Sequence, residues 1–174
     1  NRFSSECCVY APNIGVDSVT GEAVLAWQFL HASSGVAYQS VSPAGPRTEP
    51  PGPSTGNNET RTAITGRIGA PGVFLAYLYG ENQFTSIPAV VRTGTTGAIK
   101  FTRARGALHL GIAAAPGGRV WVFWVRSNVL YATRSNAAVT TFGALSSVKP
   151  PAGTSTVYNL AGEGSLGALD LLAL

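Results

Sequence analysis

HLGIAAAPGGRVWVFWV, spanning His109 to Val125, reads as two short strands joined by a Pro-Gly-Gly turn. Apolar residues alternate in VWVFWV, Val120–Val125, and its side chains are all β-branched or aromatic. Such residues fit a pleated, half-buried surface, and the spacing of a helix is absent. Three other segments repeat the pattern: NIGVDSVTGEAVLAWQF from Asn13, ITGRIGAPGVFLAYLYG from Ile64 and NLAGEGSLGALDLLAL from Asn159.

Anchoring these segments on Trp27, Tyr77, Trp124 and Asp170 gives spacings of 50, 47 and 46 residues. The second halves of the units align as well, through GVAYQSVSPAG from Gly35, IPAVVRTGTTG from Ile87 and NVLYATRSNAAV from Asn128. A period of roughly 40 to 50 residues is what four strands and their turns require. The expectation is an all-β chain, a β-propeller of four-stranded antiparallel blades with about three and a half units. The C-terminal LGALDLLAL, Leu166–Leu174, has helix-forming composition, but its place in the repeat predicts strand.

Residues 42–61 hold five prolines and three glycines, which a sheet interior does not accept, so they predict a surface loop inserted in one domain covering 1–174. Charged residues are only 11% of the chain, against roughly a quarter in average soluble proteins. The surface is therefore mainly small and uncharged, a composition shared by extracellular proteins, shells and fibres. No apolar run reaches the roughly 18 residues of a membrane span. The net charge of +4 arises from arginines scattered between Arg2 and Arg134. That scatter reads as solvated strand faces and not as the clustered stripe of a nucleic-acid binder.

Cys7 and Cys8 are adjacent, which excludes a CxxC zinc site and any loop-closing disulfide within the chain. Free buried thiols, a ring joining neighbours and a bond to another chain stay open. Asn58 begins an Asn-Glu-Thr sequon, a candidate glycosylation site if the protein is secreted from a eukaryote. A chain that begins at Asn1 and contains no methionine is expected to be processed or to be part of a longer one.

Within the third unit, LYATRSNAAVTTFG, Leu130–Gly143, resembles the Asp-box of the sialidase-like (BNR) β-propellers, Ser-x-Asp-x-Gly-x-Thr-Trp/Phe. Ser135, Thr141 and Phe142 fall on its frame, while Ala137 and Val139 stand at the Asp and Gly positions. The resemblance implies a turn between third and fourth strands. In it a hydroxyl and an aromatic ring lock the turn, Asp caps backbone N–H groups, and Gly supplies a positive φ. Family enzymes bind the substrate carboxylate with three arginines and use a Tyr-Glu nucleophile and an Asp acid/base. Their early-strand Arg-Ile-Pro stretch is approached by TSIPAVV, Thr85–Val91, with Ser86 in place of the arginine and on a third strand, not a first.

The acids give catalysis no support: Asp17, Glu22 and Glu163 border turns, and Asp170 lies in a terminal strand. His31 and His109 are far apart in the repeat, and neither a Ser-His-Asp set nor a metal set is spaced for assembly. No cofactor and no metal are expected. Asn13, His109 and Asn159 each open the first strand of a unit, so in a propeller they surround one end of the channel, where amides and an imidazole meet sugar hydroxyls. The alternative for short polar residues there is turn capping.

Three and a half blades leave edges to be satisfied, because propellers close. Arg2–Ala11 could supply an outer strand to the last unit, a companion chain could complete the ring, or terminal strands could insert into another copy. GALDLLAL lacks the Lys and Pro that guard exposed edges, which favours burial against something. The expected function is that of a noncatalytic extracellular propeller acting in adhesion or glycan binding. A structural subunit of an extracellular or viral assembly is the alternative. A glycoside hydrolase fragment with its catalytic residues on another chain is the third.

Overall fold

The computed structural model describes residues 12–30, 34–52, 60–80, 84–154, 156–157 and 159–173. Cys7, Cys8, Asn58, His31 and the segment Arg2–Ala11 lie outside the described residues. The chain is all-β, with thirteen strands and one 3-10 turn over Thr102–Ala104 among those residues. No helix there is long and apolar enough to cross a membrane.

The strands form four antiparallel meanders in chain order. Sheet I holds β1 (Asn13–Val16), β2 (Ala23–Leu30) and β3 (Ser34–Ser42). Sheet II holds β4 (Thr60–Thr65), β5 (Phe74–Tyr79), β6 (Ile87–Arg92) and β7 (Ala98–Lys100). Sheet III holds β8 (His109–Ala115), β9 (Arg119–Arg126), β10 (Val129–Arg134) and β11 (Ser146–Val148). Sheet IV is the pair β12 (Leu160–Glu163) and β13 (Asp170–Ala173). In sheet I, Thr48 exchanges two backbone hydrogen bonds of 2.9 Å with Tyr38, so the Pro-rich segment contributes a rudimentary fourth strand.

Turn chemistry follows the residues. Ser127 and Asn128, both with positive φ (49° and 56°), make a two-residue hairpin between β9 and β10 whose backbone twist matches the strands. Between β8 and β9, Gly117 and Gly118 take φ of 70° and 71°, which side chains resist.

Each sheet packs one face on the next. Val24, Ala26, Val36 and Tyr38 of sheet I meet Ile64, Leu75, Tyr77 and Val91 of sheet II. The opposite face of sheet II, with Phe74, Ala76, Leu78 and Val90, meets Leu110, Ile112, Val122 and Trp124 of sheet III. Phe123, Val125 and Leu130 on the far face of sheet III meet Leu160 and Leu171 of sheet IV. Strict alternation thus sends neighbouring residues such as Phe123 and Trp124 into two different cores.

Two close approaches depend on missing side chains. A Cβ on Gly111 would lie 2.2 Å from the Phe123 ring, and one on Gly162, in sheet IV, 2.5 Å from it. Phe123 therefore fills the space over its cross-strand partner Gly111 and reaches the next sheet. Phe29 does the same over its partner Gly35, where a Cβ would lie 2.3 Å from the ring.

The first strands of successive sheets are neighbours, β1 beside β4, β4 beside β8 and β8 beside β12. They run in phase. Asn13 bonds to Thr62, and Ser18 donates to the Arg67 carbonyl at 2.5 Å, each across 49 residues. Gly118 N–H donates to Ile68 O at 3.2 Å, across 50 residues. The packing offset between units lies within three residues of the repeat spacing in the sequence.

Candidate functional site

Because the first strands run in phase, their opening residues share one end of the stack. Asn13 Nδ2 donates to Thr62 O at 3.2 Å and lies 3.3 Å from Thr62 Oγ1. Asn159 Oδ1 accepts the N–H of Leu160 at 2.9 Å, so this amide folds back over its own strand as a cap. His109 is half-buried; burial first, and then neighbouring Arg61, hold its imidazole below the ordinary histidine value. It is therefore neutral near pH 7, with one ring nitrogen donating and one accepting.

The three predicted residues do not bond to one another among the described residues. The structure instead inserts the second unit's members, Thr62 bonded to Asn13 and Arg61 beside His109. Arg61 is the extra residue of a bulge in β4 and has φ of 54°. The signal for Thr62 was present in the sequence, since it lies one period after Asn13. Between these first strands, Ile14, Val16, Ile64, Thr65, Arg67 and Ala114 line a hollow of about 300 Å³.

At the opposite end, turns interlock the sheets. Asp17 is 3% exposed, and its carboxylate accepts N–H groups of Val19 at 2.8 Å and Thr20 at 3.0 Å within its own turn. It also accepts the Gly72 N–H from sheet II. Burial pushes its pKa up, but the backbone donors of Thr20, Gly72 and Val19 outweigh it and hold the group below the usual carboxylate value. Arg67 extends the linkage: Nε donates to Gly118 O at 2.7 Å, Nη1 to Pro71 O at 2.9 Å, and Nη2 to Ala137 O. Exposed Glu163 accepts the Ser165 N–H at 2.5 Å.

The turn after β10 keeps its frame by a substitution of roles. Ser135 Oγ accepts the Val120 N–H at 2.9 Å, and Ser135 bridges Phe142 as an isolated β-pair. The cap comes from Asn136, whose Oδ1 accepts Thr140 N–H at 2.9 Å and Thr141 N–H at 3.4 Å. Ala137, at the position expected for the cap, offers only its carbonyl, to Arg67. Val139, at the glycine position, takes φ of 54° and is 4% exposed, packed in the core between sheets II and III.

A cleft of about 290 Å³ opens between sheets II and III at their outer strands. Its floor is a chain of rings. Phe142 meets Phe101 edge-on at 4.9 Å, Phe101 lies 5.4 Å from Trp124, and Trp124 stacks on Tyr131 at 6.0 Å. Arg103 and Arg126 stand around it, both exposed, and neither is ion-paired among the described residues, while the Lys100 ammonium lies 4.0 Å over the Tyr79 ring on the other face of sheet II. Leu145, 54% exposed, lies at the mouth. Sequence reading found Phe142 but not this cleft, whose members come from β7, β9, β10 and two turns.

No family model, curated protein or solved structure matches this chain.

Proposed function

We propose that the chain is a divergent sialidase-like β-propeller, or part of one, acting outside the cell as a noncatalytic recognition module. It binds a glycan at the end of the stack where the first strands open. The observation that carries this reading is the in-phase stacking of the first strands at 49 to 50 residues. In a propeller, repeat-equivalent residues lie at equal height around one axis, and in-phase neighbours are what that arrangement requires. The turn around Ser135, Asn136 and Phe142 supports it, being capped and locked as an Asp-box is, with an amide in place of the carboxylate.

A noncatalytic role agrees with how the acids are used. Asp17 is committed to three backbone donors, Glu163 to Ser165, and Glu49 to Arg47 at 2.9 Å. The opening end offers Asn13, Thr62 and a neutral His109 to sugar hydroxyls. A glycan array with the intact chain tests this: saturable binding, abolished in an Asn13→Ala, His109→Ala double variant, is expected. Absence of binding, or binding the double variant retains, would sink the reading.

A second reading, a structural subunit completed by another copy, is favoured by sheet IV. Among the described residues it has two strands where sheets II and III have four, and Leu172 on β13 is 58% exposed. Native mass measurement should then give a regular homo-oligomer; a monomer at micromolar concentration would count against it.

A further inference from the structure

The cleft between sheets II and III shares no residue with the set of Asn13, Thr62 and His109, although Arg126 at its rim follows Val125, the cross-strand partner of His109, and it has a different chemistry. We propose that it docks a peptide segment of a partner protein, one aromatic or aliphatic side chain entering the cleft with Asp or Glu residues on either side.

The floor is apolar and already assembled. Trp124, 2% exposed, underlies the cleft, and the partly buried rings of Phe101, Tyr131 and Phe142 packed around it are the surface an entering side chain meets. At about 290 Å³ the space lies at the lower limit of small-molecule pockets, which run from about 300 to 1,000 Å³. It suits one large side chain.

Two polar side chains of the cleft are already engaged. Thr133 Oγ1 is spent on Gly143 O at 3.0 Å, and Arg126 Nη1 on the Arg103 carbonyl at 3.0 Å. A sugar ring carries hydroxyls on most of its edge and loses hydrogen bonds to water wherever the wall cannot replace them. An apolar side chain carries none.

The rim is of one sign. Arg103 and Arg126 border the floor, and no acid lines the cleft among the described residues. The bond from Arg126 Nη1 to the Arg103 carbonyl holds that guanidinium at the rim instead of letting it fold across the opening. Acidic residues beside the anchor would find fixed cations, which supplies both attraction and register.

The test uses the whole chain and three fluorescein-labelled peptides, DELFED, NQLFQN and DEGGED, followed by anisotropy. DELFED is expected to bind saturably. NQLFQN, without charge, and DEGGED, without an anchor, should each bind at least about fivefold more weakly. Arg103→Glu and Arg126→Glu alter exposed side chains and should each weaken DELFED about tenfold, with unchanged melting temperature. The Asn13→Ala, His109→Ala variant should bind DELFED normally, which separates this site from the proposed glycan site. No saturable binding, equal binding of DEGGED, or indifference to both charge reversals would overturn the proposal. Displacement of DELFED by an oligosaccharide that itself loses affinity in Arg126→Glu would reassign the cleft to carbohydrate and overturn it equally.

Discussion

Asn136 Oδ1 accepts the backbone N–H of Thr140 at 2.9 Å, while its own carbonyl accepts the N–H of Val139 at 3.1 Å. The residue thus closes the turn from both ends, and Val139 is held in the left-handed conformation by its own burial between sheets II and III. Replacing Asn136 by Ala removes the cap and should lower stability by about 1 kcal/mol. Asn136→Asp, which keeps the accepting oxygen, should stay within about 0.5 kcal/mol of wild type. Urea denaturation of the two variants checks the pair; equal losses would show that the side-chain oxygen is not what matters.

Asp17 supplies a pH-dependent prediction. Its folded-state pKa is held down, so the stabilisation is fully present above the unfolded carboxylate value of about 3.9 and is lost as pH falls through the lower folded value. Asp17→Ala should cost about 2 kcal/mol at pH 7, leaving the N–H groups of Val19, Thr20 and Gly72 without their acceptor. The gap between wild type and variant should be constant from pH 7 to about pH 5 and narrow below pH 4. A gap independent of pH down to pH 2 would contradict this account.

The Phe123 ring above Gly111 predicts a coupled pair. Gly111→Ala brings a Cβ to within 2.2 Å of the ring, and the resulting shift should cost about 1–3 kcal/mol. Phe123→Leu frees that space. The double variant should be more stable than the sum of the single losses by about 1 kcal/mol, measured as a double-mutant cycle. Simple additivity would mean that the ring yields without cost.

Arg67 should be replaceable by neither Lys nor Ala. Its nitrogens reach the carbonyls of Gly118, Pro71 and Ala137 in three directions, a geometry that a single ammonium does not reproduce. Arg67→Lys is expected to lose about 1–2 kcal/mol, with faster amide exchange at residues 117–118 and 136–141 while exchange in β9 stays near that of wild type. Uniform acceleration across sheet III would instead point to global destabilisation.

Strand order and repeat length were legible because alternation and turn residues are local properties, visible in VWVFWV and in SVTG before sheet I's second strand. Phase was legible too, except at the last unit. There Asp170 stands first in β13, and it is Leu171 that turns toward sheet III, because the short hairpin around Gly167 starts the strand later. The cap at Asn136 was missed for a geometric reason: which oxygen reaches an N–H depends on the path of the turn and not on the position of a residue in a pattern. The cleft was hidden further, since Phe101, Trp124 and Phe142 meet only after two sheets have packed. Asn13 gained a partner, Thr62, that the period pointed to, whereas Asn159 turned inward on its own backbone.

Arg67 also bears on how such a chain could evolve. A unit whose arginine grips two turns of its successor cannot be duplicated, deleted or exchanged as a cassette, since any new neighbour must offer carbonyls at the same two places and a glycine at position 118, where a Cβ would lie 2.7 Å from the guanidinium. Repeats that began alike become dependent on their order. Once that dependence exists, each is free to drift from its siblings but not from its neighbour, which is how a clear period can persist where residue-by-residue likeness between units has faded.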